Sequence, residues 1–214
     1  MPDVPPGFVH RYIPPAGGRS RVTLLLLHGT GGDENDLLPV GAVLAPEAGI
    51  LSPRGRVLEN GMPRFFRRLG PGVFDLGDLA LRTGELAEFV GAASRAYRFD
   101  PNAVAAVGYS NGANIAGSLL LRRPDLLAAA VLFRPMVPFE PEEPPDLAGK
   151  PVFLAAGRRD PIVPAEETER AVRLYRGFGA DVSLHWRAQG HELGEDDVLA
   201  AREWLSGWMT RTGS

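Results

Sequence analysis

Apolar residues along this chain fall into short continuous runs, and most runs end at glycine, proline or polar residues. Such runs are typical of strands that are buried on both faces of a parallel sheet. The pattern predicts strands of this kind at residues 22–27, 103–107, 128–133, 152–156 and 182–186. Between them, apolar residues recur at helical spacing, as in residues 166–176, where Ala171, Leu174 and Tyr175 share one face.

The alternation of strands and helices predicts one α/β domain over residues 1–214, with a mostly parallel sheet and helices on both faces. Two further short strands are expected at residues 8–13 and 50–53, the first of them exposed and part of an N-terminal strand and loop segment (residues 1–20). A helix is predicted over residues 79–97, with Asp78 as its N-cap. The closing helix has one apolar face, formed by Val198, Ala201, Leu205 and Trp208.

Two long stretches carry neither pattern. Residues 54–77 are irregular and rich in arginine and phenylalanine, and residues 134–150 are rich in proline. Long irregular stretches in a compact domain are usually functional, so we expect residues 54–77 to border the site.

Composition narrows the classes of function. The 214 residues are 44% hydrophobic and 23% charged, as in ordinary globular proteins, and the net charge of −3 predicts no nucleic-acid partner and no anionic membrane surface. The absence of cysteine excludes disulfides, a thiol nucleophile and cysteine-bound metals. The N-terminus has no basic and apolar signal pattern, and the longest apolar run, residues 22–27, is too short to span a bilayer. We therefore expect a cytoplasmic protein.

One sequence motif indicates a nucleophilic serine. Residues 108–112 spell G-Y-S-N-G between a predicted strand and a predicted helix, which is the context of a G-x-S-x-G nucleophile elbow. On so sharp a turn, Ser110 would adopt strained backbone angles, and side chains at Gly108 or Gly112 would collide with the strand or the helix. The alternative is a serine in an ordinary glycine-bracketed turn.

Two later loops carry the partners that a nucleophilic serine needs. Asp160 follows the strand at 152–156, and His191 follows the strand at 182–186. An imidazole takes the proton of the serine, and a carboxylate orients the imidazole. The order Ser110, Asp160, His191 is the order expected for this elbow.

Other residues of the same types fit less well. His10 and His28 lie far upstream of the motif, and His185 falls inside the last strand. For the carboxylate, an Asp-Pro pair such as Asp160-Pro161 is also common in solvated turns. The remaining candidates for the carboxylate are Asp181, Asp196 and Asp197. None of them directly follows the end of a strand between Ser110 and His191.

The glycine-rich loop at residues 28–32 lacks the lysine and the spacing of a phosphate-binding P-loop. We expect it to form an oxyanion hole instead, in which the backbone N–H groups of Thr30 and Asn111 stabilise the developing alkoxide by about 3 kcal/mol each. For His28 we expect a structural role, with bonds to the backbone near this loop. His191-Glu192 lacks the second histidine of H-E-x-x-H, so no metal site is expected. We also expect no cofactor.

Together these segments resemble one group of enzymes. LLLLHGTGGDENDLLPVG, GYSNGANIA, FRPMVP, GRRDPIVP and GHEL are similar to the carboxylesterase/phospholipase group of small α/β hydrolases, which includes acyl-protein thioesterase-like and dienelactone hydrolase-like enzymes. The segments RFFRRLGPGVFD and RPMVP most resemble bacterial carboxylesterases of the hydroquinone-inducible hydrolase type. The resemblance implies the α/β-hydrolase fold, the triad Ser110, Asp160 and His191, the oxyanion hole at Thr30 and Asn111, and in some members a homodimer. Dienelactone hydrolases proper use a cysteine nucleophile, which this chain lacks.

The sequence indicates the substrate less directly than the catalytic residues. In this fold, a lid is usually inserted after the strand that follows the nucleophile helix. At that position this chain has only the proline-rich stretch at residues 134–150, so we expect no cap domain. The open site would suit esters of short to medium acyl chain. Side chains that could line the acyl or alcohol pocket, or else form local core, are Phe65, Phe66, Phe74, Met136 and Phe139. The alternatives are an acyl thioesterase or lysophospholipase, and a catalytically silent domain that binds a small molecule.

Overall fold

The structure, a computed structural model, describes residues 7–18 and 20–212 of the chain. Its strands are β1 (His10–Ile13), β2 (Thr23–Leu27), β3 (Gly49–Pro53), β4 (Val57–Glu59), β5 (Met62–Arg64), β6 (Arg68–Gly70), β7 (Val73–Phe74), β8 (Val104–Tyr109), β9 (Ala129–Phe133), β10 (Pro151–Gly157) and β11 (Asp181–Arg187). Its helices are α1 (Leu38–Leu44), α2 (Leu76–Tyr97), α3 (Asn111–Arg122), α4 (Ala165–Gly177) and α5 (Glu195–Thr212). Of the predicted N-terminal segment, residues 1–6 and 19 lie outside the described residues.

Within the described ranges, seven strands form one sheet in the order β1-β3-β2-β8-β9-β10-β11. Only the β1–β3 pair is antiparallel, and every other pair in this sheet is parallel. The prediction of a mostly parallel sheet with flanking helices is confirmed. Residues 134–150 contain neither helix nor strand.

The buried strands explain the unbroken apolar runs. In β2, Leu25 and Leu27 pack into the core that α2, α3 and α4 cover, whereas Leu24 and Leu26 pack into the core on the α1 and α5 side. Successive side chains of a strand point to opposite faces, so both sets must be apolar when helices cover both faces. All four leucines are fully buried.

The predicted start of α2 is wrong. The helix begins at Leu76, and its N-cap is Asp75, whose carboxylate accepts a bond from the backbone N–H of Asp78 at 3.0 Å. Asp78 lies inside the first turn and accepts a bond from the N–H of Arg67 at 2.7 Å. The aspartate three residues before the predicted cap therefore satisfies one of the free N–H groups in the first turn.

Residues 54–77, expected to be irregular, form two small antiparallel hairpins, β4–β5 and β6–β7. The first turns at Asn60 and Gly61, which have φ angles of 52° and 79°. Asn-Gly between two short strands is a strong hairpin signal, and it was available in the sequence. The hairpins are joined by Glu59, which accepts bonds from Arg68 at 2.7–3.2 Å.

In the part of the chain that the structure describes, none of the helices has the length and apolar character needed to cross a bilayer.

Candidate active site

The turn between β8 and α3 has the strain expected of a nucleophile elbow. Ser110 has φ 52° and ψ −112°, a backbone conformation that residues with side chains rarely adopt. The flanking glycines allow this turn, because a Cβ on Gly108 would contact the backbone of α3 and one on Gly112 would collide with the Leu27 carbonyl of β2. The expected collisions at both glycines are therefore found in the structure.

The structure brings Ser110, His191 and Asp160 into one chain of hydrogen bonds. The Nε2 atom of His191 lies 2.9 Å from Ser110 Oγ, and its Nδ1 atom lies 2.8 Å from Asp160 Oδ2. A carboxylate only accepts, so Nδ1 carries the proton and Nε2 is free to accept from the serine hydroxyl. All three residues lie beyond the carboxyl ends of parallel strands, where open α/β sheets place their sites.

Asp160 is held by its own loop. Its Oδ1 atom accepts bonds from the backbone N–H groups of Ile162 and Val163 at 2.8 and 2.9 Å, which leaves Oδ2 for His191. Its side chain is 1% exposed. The three alternative aspartates lie elsewhere: Asp181 begins β11, and Asp196 and Asp197 belong to α5.

The predicted oxyanion residues lie at the same cavity as the serine. Thr30, on the loop after β2, and Asn111, the first residue of α3, both line the same cavity as Ser110. The N–H groups in the first turn of a helix have no partner within the helix and are available to a ligand. The Asn111 side chain is bonded instead to the protein, since its Oδ1 atom accepts from the N–H of Phe65 at 2.7 Å.

His28 anchors the loop that carries Thr30. Its Nδ1–H donates to the carbonyl of Gly29 at 2.6 Å, and its Nε2 atom accepts from the N–H of Gly55 at 2.9 Å. Burial lowers the pKa of His28, which keeps the ring neutral and able to accept. These are the backbone bonds that were expected of a structural histidine.

A cavity of about 220 Å³ opens beside Ser110. Of the predicted pocket residues, Phe74 and Met136 line it. Phe65 and Phe66 do not, because they are 2% and 0% exposed and lie in the core under α2. Phe139 lies under the guanidinium of Arg122, 4.3 Å from it, and also stays out of the cavity. The alternative of local core therefore describes these three phenylalanines.

Two arginines of the hairpins, Arg64 at the end of β5 and Arg68 at the start of β6, also line the cavity. Arg64 is 3% exposed, donates to Thr30 Oγ1 at 2.5 Å and lies 3.2 Å from Glu59. Arg68 shares the same Glu59. One carboxylate for two guanidinium groups leaves a net positive charge at this wall. The RFFRR segment was the signal, but only the hairpin fold shows which arginines point inward.

The family of the chain follows from comparison with known proteins. The sequence profile of the dienelactone hydrolase family matches residues 81–194, more than half of the chain. The chain belongs to this family.

Three known proteins are similar to this chain over most of its length. The putative hydrolase MhqD of Bacillus subtilis (strain 168) is 52% identical over 187 residues, which are 87% of this chain and 94% of that protein. The crystal structure of the Bacillus cereus carboxylesterase has a TM-score of 0.91 and 48% identity, and the match covers 94% of each chain. The structure of YahD with malic acid has a TM-score of 0.88 and 32% identity, over 94% of this chain and 99% of that one.

This member of the dienelactone hydrolase family is a carboxylic ester hydrolase. It has no cysteine, so the nucleophile cannot be the cysteine that dienelactone hydrolases proper use. Among the described residues, no three His, Asp or Glu side chains lie together as a metal site requires.

Proposed function

We propose that the enzyme hydrolyses carboxylic esters of short to medium acyl chain through an acyl-enzyme intermediate on Ser110. The observation that carries this proposal is the chain of two hydrogen bonds, 2.9 and 2.8 Å long, from Ser110 through His191 to Asp160. It supplies a nucleophile, a general base and the group that orients the base.

The reaction has two halves. As Ser110 Oγ attacks the ester carbonyl carbon, His191 Nε2 takes the hydroxyl proton, and the N–H groups of Thr30 and Asn111 stabilise the resulting oxyanion. The intermediate then collapses, the C–O bond to the alcohol breaks, and His191 returns the proton to the leaving oxygen. Water repeats the sequence on the acyl-enzyme, which releases the acid and restores Ser110.

The size of the cavity supports small substrates. At about 220 Å³ it is smaller than the ~300–1,000 Å³ typical of pockets for drug-sized ligands. Ile162, which lines the cavity, is 55% exposed, so part of the opening is an apolar surface.

The test is hydrolysis of a p-nitrophenyl ester series, from acetate to palmitate, by the wild type and by Ser110→Ala. We expect a rate maximum at short or medium chains and a loss of at least about 10³-fold in kcat in the variant, because the nucleophile is gone. Ser118→Ala, which alters a buried serine of the same helix, is the control and should keep its activity. A maximum at long acyl chains would contradict the proposed substrate range.

The same experiment separates the alternatives. Faster turnover of a matched thioester than of the oxygen ester would favour an acyl thioesterase. Failure of folded wild type to turn over any ester, with ligand binding that Ser110→Ala does not change, would favour a silent binding domain.

A more specific substrate class is favoured by one wall of the cavity. Arg64 and Arg68 line it and share a single carboxylate, Glu59. The YahD structure, 32% identical, is one with malic acid, a molecule that carries carboxylates. We therefore propose that esters with a carboxylate on the acid or alcohol half are better substrates than neutral esters of the same length.

Arg68→Gln tests this substrate class. With a half-ester of succinate, kcat/KM should fall by about 10-fold or more, the value of a charge-assisted bond, and with a neutral ester of equal length it should stay within about twofold. Arg67→Gln is the matched control, because Arg67 pairs with Asp75 and Asp78 outside the cavity. Equal losses on both esters would contradict the carboxylate preference.

We also propose a cytoplasmic enzyme without nucleic-acid or membrane partners, in keeping with its net charge of −3. The homodimer implied by the family resemblance stays a prediction. Sedimentation of the 23.0 kDa chain would measure it.

A further inference from the structure

Three successive backbone carbonyls around His191 are each bonded by a side chain. Arg134 Nε donates to the carbonyl of Gly190 at 3.1 Å, and Arg134 Nη2 donates to that of Glu192 at 2.9 Å. The hydroxyl of Tyr109 donates to the carbonyl of His191 itself at 3.1 Å. The loop that carries His191 is therefore held at residues 190, 191 and 192 by Tyr109, the last residue of β8, and by Arg134, which directly follows β9.

Arg134 is itself firmly placed. Its side chain is fully buried and bonds Asp197 of α5 through two nitrogens, at 2.8 and 3.2 Å. Its backbone is left-handed, with φ 57°, and its N–H donates to Ala155 of β10 at 2.8 Å. A left-handed residue with a long side chain is strained, and such strain persists only where the surroundings fix it.

Asp197 keeps its charge despite its burial. Burial favours the neutral carboxyl, but bonds from Arg134 and Arg187 and from the N–H of Gly194 outweigh it and lower the pKa of Asp197. The carboxylate thus holds the guanidinium of Arg134 in one orientation, with its remaining N–H groups directed at the His191 loop.

Tyr109 is suited to the third bond. Burial raises its pKa, so its hydroxyl stays protonated and donates. Its ring packs against Gly29 on one side and lies 5.6 Å from the His191 ring, centre to centre.

We propose that Arg134 and Tyr109 are positioning residues that fix the imidazole of His191 between Ser110 and Asp160. The inference rests on the proposed function, in which His191 is the general base. A loop held at three consecutive carbonyls cannot slide or rotate without breaking several bonds, so the imidazole stays at the 2.9 Å distance from Ser110 Oγ that the first proton transfer requires. The inference also gives a role to the RPMVP segment, which the triad and the oxyanion hole leave unexplained.

Two variants test the proposal. Arg134→Lys keeps a charge beside Asp197 but loses the planar fork that reaches both carbonyls. Misplacement of the base should lower kcat by about 100-fold, with KM within about twofold. Tyr109→Phe keeps the ring and loses one hydrogen bond, so kcat should fall by about fivefold.

The second readout is the downfield ¹H NMR resonance of the His191 Nδ1–H bonded to Asp160, assigned by its loss in His191→Gln. It should weaken through solvent exchange in both variants. The controls are Arg82→Lys, which alters an ion pair on α2, and Tyr97→Phe, which removes a bond to His10. Both controls should leave kcat and the resonance unchanged.

Unchanged kcat and resonance in both variants overturn the proposal. A fall in kcat with an unchanged resonance overturns it too, because the loss would not act through His191. If Arg134→Lys does not fold, Tyr109→Phe decides by the same criteria. If the wild type hydrolyses no ester, the resonance alone decides the positioning role, and only the proposed function fails.

Discussion

At the scale of single residues, the candidate site depends on how Asp160 and His191 divide their polar atoms between neighbours. Asp160 divides its two oxygens between its own loop and His191, and His191 divides its two nitrogens between Asp160 and Ser110. The residue types and their order along the chain were sufficient to single out these three side chains. The bonds to Ile162 and Val163 were not predictable, because they depend on how the turn after β10 folds.

Asp160→Asn should lower kcat by about 10⁴-fold with little change in KM. The amide oxygen can still accept from Ile162 and Val163, but the amide nitrogen would then face Nδ1 of His191 and favour the wrong tautomer. Steady-state kinetics with a p-nitrophenyl ester measure this. Asp196→Asn, at a side chain that is 73% exposed, is the control. Activity within tenfold of the wild type would mean that Asp160 does not orient the base.

At the scale of elements, the long apolar strands were predicted well and the polar connections were not. A strand buried on both faces requires a continuous apolar run, so β2, β8 and β9 could be located from the sequence alone. The hairpins β4–β5 and β6–β7 have only two or three residues per strand, which is too few to show the alternation of a longer strand, and the Asn60-Gly61 turn marks only the first of them. Ion pairs through Glu59 join them, and these form only in the folded chain.

Asp75→Ala should lower the free energy of unfolding by about 1 kcal/mol, because the N–H of Asp78 loses its cap. The ion pair between Asp75 and the exposed Arg67 adds little. Urea unfolding measures the difference. Asp125→Ala is the control, since Asp125 is exposed and pairs with Arg123 at the surface, and it should change stability by less than about 0.5 kcal/mol. Equal losses in both variants would argue against Asp75 as the cap.

At the scale of the whole molecule, the sheet brings together loops that are far apart in sequence. Thr30, Ser110, Asp160 and His191 follow β2, β8, β10 and β11, and the parallel arrangement places all four at one edge. That convergence was predictable from the alternation of strands and helices. The inward direction of Arg64 and the fork of Arg134 were not, because both depend on contacts between distant segments.

The neutral, buried His28 should make the stability of the molecule depend on pH. Because burial lowers its folded pKa below the value of about 6.5 in the unfolded chain, its stabilisation is complete above that pH and is lost as pH falls toward the folded pKa. The stability gap between wild type and His28→Gln, from urea unfolding, should therefore shrink from about pH 7.5 to about pH 5. For Asp125→Ala, whose carboxylate titrates below this window, the gap should stay constant. A constant gap for His28→Gln would contradict the account.

The central claim is that Ser110 is an activated nucleophile, and covalent labelling tests it most directly. A fluorophosphonate should add one phosphonyl group per chain, with loss of fluoride, and fragmentation of the tryptic peptide spanning residues 99–122 should place it on Ser110. Ser110→Ala should take no label. A folded wild type that stays unlabelled, or a label on any other residue, would contradict the assignment of Ser110.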